Sequence, residues 1–211
     1  MVRQILDDQI YAVKQIELRD PTKKSEIIKE IKSLLKVESK YVVKYYGSWE
    51  ELTHVYIQME YCSQNLMDII ELKPLIFCRE PSEPMDCYEY FISCEIFLEI
   101  LKCVQYLHEL KPQIIHRDLK PQNILIAENV RNGRFIKLCD FGLATDHKSE
   151  SAIHTTRLGT SRYKAPEVDA NGDKAKYTTK ADIFSLENIW ISTYIWIYMN
   201  TLHYMLILNT S

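Results

Sequence analysis

Several features that mark specialised proteins are missing from this chain of 211 residues. Its six cysteines include no C-x-x-C pair, and a chain of this length with 46% apolar residues can bury a core without a disulfide framework. No apolar stretch of the signal-peptide kind opens the sequence. The net charge is −3 with both signs interspersed, so the clustered basic face of a nucleic-acid-binding protein is also missing. We therefore expect reduced thiols, a cytoplasmic location and no direct binding of nucleic acid.

Charge is lacking from the end of the chain. No Lys, Arg, Asp or Glu follows Glu187, and residues 189–208 are rich in Ile, Trp, Tyr, Leu and Met. The length of that stretch admits a transmembrane helix. However, polar residues are scattered through it and no basic cluster flanks it, which argues against a span. We favour a divergent apolar tail over residues 188–211 and keep a membrane-anchored chain as the less favoured alternative.

Hydrophobic periodicity predicts a strand-rich first part and a mainly helical second part. The predicted strands cover residues 10–16, 41–46, 55–59, 124–127 and 135–138, with a hairpin turn at Asn132-Gly133 between the last two. The predicted helices begin at Pro21 after an Asp20 cap, at about Glu89, and near Thr179 with a capping box to Asp182. Three prolines predict a loop over residues 73–88.

Helical spacing also predicts which side chains are buried. In the first helix Glu30 lies on the core-facing side, where a carboxylate is unusual, together with Ile27, Ile31, Leu34 and Leu35. In the long helix that ends at Leu110, the residues predicted to face inward are Ile96, Ile100, Cys103, Val104 and Leu107. The residues predicted to face outward are Glu95, Glu99, Lys102 and Glu109.

Four short motifs occur in a defined order along the chain. They are Tyr11-Ala12-Val13-Lys14, His116-Arg117-Asp118-Leu119-Lys120-Pro121-Gln122-Asn123, Asp140-Phe141-Gly142 and Ala165-Pro166-Glu167. Each is weak alone, but the series resembles the V-A-I-K, H-R-D, D-F-G and A-P-E signatures of protein kinases in their expected contexts. The resemblance implies an α+β, two-lobed fold. Residues 1–62 would form a small antiparallel-sheet lobe with one helix plus the hinge, and residues 63–187 a mainly α lobe.

The resemblance implies roles for two side chains of the small lobe. Lys14 would bind the α- and β-phosphates of ATP, and Glu30 would hold Lys14 in place. Taken singly, Lys14 is more readily a strand lysine that reaches solvent, and Glu30 is more readily a solvated helix charge.

Four further residues receive roles in the transfer step. Asp118 would orient the substrate hydroxyl and accept its proton, Lys120 would steady the transferred phosphate, and Asn123 and Asp140 would coordinate Mg²⁺. In isolation Asp118 could be a loop cap and Asn123 a turn residue. Their joint spacing favours the catalytic interpretation.

The resemblance also implies an adenine pocket. Ala12 and Leu125 would sandwich the base, Met59 would be the gatekeeper, and the backbone of Glu60 and Cys62 would bind the edge of the base. A buried methionine is more often an ordinary core residue, so Met59 is assigned by resemblance alone.

Other residues narrow the class and suggest regulation. Lys120 and Thr160 match serine/threonine kinases, which implies a protein substrate. Arg117 precedes Asp118, and kinases of this type use phosphorylation of the activation loop, for which Thr155 and Thr156 are the best candidates. Most threonines in such a loop are ordinary polar residues. No pattern indicates or excludes a dimer.

Three stretches resemble the kinases that phosphorylate the α subunit of translation initiation factor two. They are Val2–Asp7, Ile57–Cys62 and His154–Thr160. A NimA-like or other stress-type kinase is the competing assignment, because the long insert that several members carry between strands four and five is absent here.

The sequence also departs from the family. No glycine occurs before Gly47, so we expect no glycine-rich lid ahead of Lys14, and Glu187 stands where the family has glycine. The arginine that would pair with Glu167 is not found, and we expect a domain cut short at both ends. The alternative function is therefore an impaired kinase fragment that acts as a nucleotide-binding or interaction module.

Overall fold

The computed structural model describes residues 2–3, 8–18, 21–37, 40–80, 83–131, 133–141, 145–146, 161–166 and 178–194. The strands are β1 (Val2–Arg3), β2 (Ile10–Glu17), β3 (Tyr45–Glu51), β4 (His54–Glu60), β5 (Gln64–Asn65), β6 (Ile114–Ile115), β7 (Ile124–Arg131), β8 (Arg134–Leu138) and β9 (Thr145–Asp146). The helices are α1 (Pro21–Lys36), α2 (Leu66–Ile76), α3 (Cys87–Glu109) and α4 (Thr179–Tyr194), with 3₁₀ turns at Pro121–Asn123 and Ser161–Tyr163. The α+β class is confirmed.

The small lobe is an antiparallel sheet in the order β1-β2-β4-β3. The strands predicted at residues 10–16 and 55–59 are confirmed as β2 and β4. The strand predicted at 41–46 is wrong in its bounds, since β3 begins at Tyr45. The preceding residues pair with β8 instead: Val42 forms a parallel bridge to Leu138, and the Val43 N–H donates to the Leu138 carbonyl at 3.0 Å.

Helix α1 covers this sheet with a narrower face than predicted. Ile27 and Leu34 are each 4% exposed and Glu30 is 5% exposed, which confirms the buried carboxylate. The prediction for Leu35 is wrong, because that side chain is 64% exposed. At 3.6 residues per turn, position 35 lies about 100° around the helix from position 34 and leaves the core face. The Asp20 cap lies outside the described residues.

The loop predicted over residues 73–88 is partly wrong, since α2 runs to Ile76 and α3 starts at Cys87. Asn65 and Asp68 form a full capping box at the start of α2: Asn65 accepts from the Met67 and Asp68 N–H groups, and Asp68 accepts from the Asn65 N–H. This cap stabilises the first turn. Pro74 is tolerated because it stands in the last turn of α2, where its missing N–H removes a single helical hydrogen bond.

Helix α3 is the central support of the larger lobe. All five residues predicted to face inward are at most 8% exposed, which confirms that face. The prediction for Glu99 is wrong: it is 7% exposed, and its carboxylate lies 3.4 Å from the Arg134 guanidinium on β8. A helical pattern identifies an apolar stripe but not an arginine on a distant strand that draws a carboxylate inward.

The hairpin turn predicted between β7 and β8 is confirmed. Arg131 of β7 is paired with Arg134 of β8, which leaves a turn of two residues, and Gly133 has a φ of +70°. That conformation suits glycine in a tight turn. Asn132 lies outside the described residues.

Helix α4 begins at Thr179, as predicted, but the capping box is wrong. The Lys180 N–H donates to Oγ1 of Thr178, and the Asp182 carboxylate lies in the interior of the lobe. The helix continues without a break across the boundary drawn at 187/188, and Ile189 is fully buried in the main core. In the described part of the chain, no helix is long and apolar enough to cross a membrane.

Candidate active site

The loop from His116 to Asn123 is anchored by one buried carboxylate. Asp182 of α4 is 0% exposed and accepts hydrogen bonds from the backbone N–H of His116 at 2.9 Å and of Arg117 at 2.8 Å. Its Oδ2 also lies 2.7 Å from Nε2 of His108 on α3. Sequence reasoning missed this residue because its position near the start of a helix suggested a cap.

The backbone at two points of the site is not in its preferred conformation. Arg117 has a φ of +68° and Asp140 a φ of +63°, in the left-handed region that residues other than glycine rarely adopt. Each such residue costs about 1–3 kcal/mol and persists only where its surroundings hold it. Both strained residues flank the candidate site, so the surrounding fold maintains this arrangement at a local cost.

His116 links the two strained segments. Its Nε2 lies 3.0 Å from the carbonyl oxygen of Cys139, and its Nδ1 accepts from the Asp118 N–H at 3.3 Å. This pattern assigns the proton to Nε2 of a neutral ring. The ring packs on Phe141, which is fully buried, with the centroids 5.0 Å apart. The segments that carry Asp118 and Asp140 are therefore fixed relative to each other.

The Asp118 carboxylate is held from two sides. Lys120 Nζ lies 2.8 Å from Oδ2, and Nδ2 of Asn123 donates to the same oxygen at 2.9 Å and to the Asp118 carbonyl at 2.8 Å. The 3₁₀ turn that starts at Pro121 brings Asn123 back to Asp118. The side chain of Asp118 remains 23% exposed, so it is fixed in orientation and still open to solvent.

Lys14 of β2 joins both lobes. Its Nζ lies 2.7 Å from Oε1 of Glu30 on α1 and 2.9 Å from Oδ1 of Asp140 after β8. The predicted ion pair with Glu30 is confirmed. The structure therefore brings Lys14, Glu30, Asp140, Asp118 and, through Asp118, Lys120 and Asn123 to one cleft.

The charged groups of this cluster shift one another's pKa values. Burial alone would lower the pKa of Lys14, but Glu30 and Asp140 together outweigh it and raise that pKa. Burial raises the pKa of Glu30, and Lys14 offsets part of the effect. Burial would also raise the pKa of Asp140, but Lys14, with a smaller contribution from Lys120, outweighs burial and holds that pKa below its usual value. Asp140 is thus kept as a carboxylate.

The residues predicted to bind Mg²⁺ fit that ion in chemistry. Asp140 is 42% exposed at its side chain, and within the described part of the chain Oδ1 of Asn123 accepts no hydrogen bond. Both offer hard oxygen atoms. The described residues contain no cluster of three or more His, Cys, Asp or Glu suited to a metal. Two protein oxygens nevertheless suit Mg²⁺, which keeps several waters and shares phosphate oxygens.

The residues predicted to line an adenine pocket lie near the start of β2, the end of β4 and the start of β7. Ala12 pairs with Met59 across β2 and β4, and Leu125 lies half-buried on β7. Cys62 is half-buried, and burial, with Glu60 nearby, raises the pKa of its thiol to about 11. Glu60 forms an ion pair that sequence reasoning missed: both of its carboxylate oxygens contact Nζ of Lys137, at 2.7 and 2.5 Å.

Some predicted residues cannot be placed. Thr155, Thr156 and Thr160 lie outside the described residues, as do Gly142 and Glu167. The backbone of Arg117 is fixed by Asp182, but its role as a partner for a phosphorylated threonine stays a prediction.

The chain matches one family model, described as "Protein kinase domain", over residues 1–196. Two similar proteins are both named serine/threonine-protein kinase cst-1: that of Caenorhabditis elegans is 38% identical over 84% of this chain and 31% of its own length. That of Caenorhabditis briggsae is 38% identical over 84% of this chain and 32% of its own length.

A third relative is the MAP kinase kinase MKK1/SSP32 of Saccharomyces cerevisiae, 35% identical over 84% of this chain and 32% of its own length. The chain thus spans about a third of the length of these curated relatives. None of the three carries the name of a translation-factor kinase.

Proposed function

The chain belongs to the protein kinase family, and from that premise we propose that it transfers the γ-phosphoryl group of ATP to serine or threonine on proteins. One observation carries the proposal. Lys14 bridges Glu30 and Asp140, while Asp118 is held between Lys120 and Asn123 in the same cleft. Phosphoryl transfer needs positioning and charge neutralisation more than covalent chemistry, and this arrangement provides both.

Each residue has a role that follows from its contacts. The Lys14 ammonium is held by Glu30 and would turn from Asp140 toward the phosphate oxygens. Asp118 would orient the substrate hydroxyl and accept its proton, since its carboxylate is fixed yet open to solvent. Lys120, which now pairs with Asp118, would move to the transferred group. Asp140 and Asn123 would hold Mg²⁺, which when bound neutralises charge on the phosphates.

The acceptor is tested with three peptide libraries that differ only in a central Ser, Thr or Tyr, incubated with Mg-ATP and the 211-residue chain. We expect phosphate on the Ser and Thr libraries and none on the Tyr library. Phosphate on the Tyr library alone would contradict the proposed class, and the Asp118→Asn variant controls for a contaminating kinase.

A finer proposal concerns the substrate. The stretches Val2–Asp7, Ile57–Cys62 and His154–Thr160 support the α subunit of translation initiation factor two. Only the second stretch lies wholly within the described residues, and the relatives reported above do not carry that name. Faster phosphorylation of this subunit than of a generic Ser/Thr protein would support the finer proposal, and equal rates would reject it.

A second candidate is a nucleotide-binding module that transfers phosphate poorly. The observation that favours it is that the ammonium groups of Lys14 and Lys120 are paired with Asp140 and Asp118, so both must move before they can act on a transferred phosphate. Tight binding of ATP without transfer to any of the three libraries would support this candidate over the first.

A further inference from the structure

The ion pair of Lys137 and Glu60 is not used by the proposed mechanism. Lys137 Nζ contacts both carboxylate oxygens of Glu60, and the two side chains are only 14% and 24% exposed. The Lys44 N–H also donates to Oε2 of Glu60 at 3.1 Å, and the Glu60 N–H donates to the Lys44 carbonyl at 2.8 Å. Glu60 is therefore fixed through both its side chain and its backbone.

The pair lies between the lobes, beside the predicted base site. Glu60 is the last residue of β4 and follows the predicted gatekeeper Met59. Lys137 on β8 is paired across the hairpin with Leu125, the residue predicted to cover one face of the base. The ion pair thus connects the end of the small-lobe sheet to the pair of strands β7 and β8, which carries Leu125.

We propose that Lys137 is a positioning residue that sets the preference for adenine by fixing the hinge backbone through Glu60. The proposal rests on the proposed function, in which an adenine nucleotide binds between the lobes. Binding the edge of a base by backbone groups requires donors and acceptors placed to within about 0.5 Å. Without the contact to Lys137, the hinge backbone would hold those donors and acceptors in less defined positions.

The effect should be confined to the base. Lys14 and Asp140 are the groups predicted to meet the phosphates, and neither contacts Lys137 among the interactions described above. Loss of the Lys137–Glu60 contact should therefore weaken the binding of adenine nucleotides. The part of the affinity that comes from contacts to the phosphates should be unchanged. A purely structural role for Lys137 predicts a different result: lower stability, and equal losses for every nucleotide.

The test measures the affinities of Mg-ADP and Mg-GDP by calorimetry on the full 211-residue chain. Its variants are Lys137→Met, which removes the charge at similar volume, and Lys137→Arg, which keeps it. The matched control is Lys24→Met, because Lys24 forms another Lys–Glu pair in the small lobe, with Glu50 at 2.8 Å, away from the base site.

We expect Lys137→Met to bind ADP about fivefold more weakly, the size expected of one ion pair, and to bind GDP with unchanged affinity. Lys137→Arg should restore the ADP preference, and Lys24→Met should match the wild type. Because Lys137 acts through Glu60, the double variant Lys137→Met/Glu60→Gln should lose no more ADP affinity than the larger single loss.

Three results would overturn the inference. They are an unchanged ratio of ADP to GDP affinity in Lys137→Met, equal losses for both nucleotides, and losses that add in the double variant. If Lys137→Met does not fold, Glu60→Gln is expected to lower the ratio of ADP to GDP affinity in its place, and Lys137→Arg remains the variant that keeps the ratio. A wild-type chain that binds neither nucleotide would contradict the proposed function and, with it, the inference. If the wild type binds ADP but Lys137→Met leaves the ratio of ADP to GDP affinity unchanged, the inference alone is contradicted.

Discussion

Nζ of Lys14 lies 2.7 Å from Oε1 of Glu30, and the Glu30 side chain is only 5% exposed. A buried carboxylate without a partner is costly, whereas two well-packed apolar residues can replace a buried pair at little cost. The Lys14–Glu30 contact is therefore expected to set both the stability of the small lobe and the position of the phosphate-binding lysine.

The first prediction follows from that contact. Lys14→Met should lower the free energy of unfolding by about 1–2 kcal/mol, because it leaves Glu30 buried and uncompensated while Lys14 itself is partly solvated. The double variant Lys14→Met/Glu30→Leu should recover part of the loss. Urea unfolding of both variants measures the difference, and a double variant less stable than Lys14→Met would contradict the account.

The second prediction concerns Asp182. Asp182→Asn should cost about 3 kcal/mol of unfolding free energy, since it replaces a buried acceptor of two backbone N–H bonds with an amide that presents its own N–H groups. Asp68→Asn is the matched control, because within the described residues the Asp68 side chain accepts one backbone N–H, that of Asn65 at the start of α2. It should cost less than about 1 kcal/mol. Equal losses in thermal or urea unfolding would refute the anchoring role.

A third prediction is the order in which two carboxylates take up protons. The pKa of Glu30 is raised from 4.5, mainly by burial. The pKa of Asp140 is lowered from 3.8, because Lys14 and its neighbours outweigh burial. On acidification Glu30 should therefore protonate first, above pH 4.5, and lose its ion pair with Lys14. Asp140 should remain charged until the pH falls below 3.8, and the stability it contributes should be lost only there.

Carbon-13 NMR titration of the side-chain carboxyl groups between pH 3 and 7 measures this order. The signals are assigned with Glu30→Gln and Asp140→Asn. A midpoint for Asp140 above that of Glu30 would contradict the electrostatic description of the cleft.

The fourth prediction tests the metal ligands. Calorimetry should show that the wild-type chain binds ATP more tightly with Mg²⁺ than with a chelator. Asp140→Ala should bind ATP equally under both conditions, because one of only two predicted oxygen ligands is gone. Magnesium dependence that survives in Asp140→Ala would exclude Asp140 as a ligand.

Local patterns in the sequence predicted much of the fold. Alternation identified β2 and β4, and helical spacing identified the buried face of α3 and the buried Glu30. These features depend on neighbours within a few residues, so periodicity carries them. Asp118, Asn123 and Asp140 were assigned from the resemblance of their motifs to protein-kinase signatures, and the structure brings them to one cleft.

Other features depend on partners far along the chain. Asp182 binds the backbone at His116, Glu99 turns inward toward Arg134, and Val42 pairs with Leu138 rather than with the small-lobe sheet. Each contact replaces a locally favoured arrangement, such as a helix cap, a solvated charge or a continued strand. Tertiary contacts of this kind are invisible to periodicity, and Lys137 was missed for the same reason.

The most direct test of the account is the initial rate of radiolabel transfer from Mg-ATP to a generic Ser/Thr protein, measured for the wild-type chain and for Asp118→Asn. We predict measurable transfer by the wild type, because Lys14, Asp118 and Asp140 are held in one cleft. We predict a fall of about 10²–10⁴-fold in Asp118→Asn, the size expected when a positioned proton acceptor is lost. Equal rates for the two proteins would contradict the assignment of Asp118 and, with it, the proposed chemistry of the cleft.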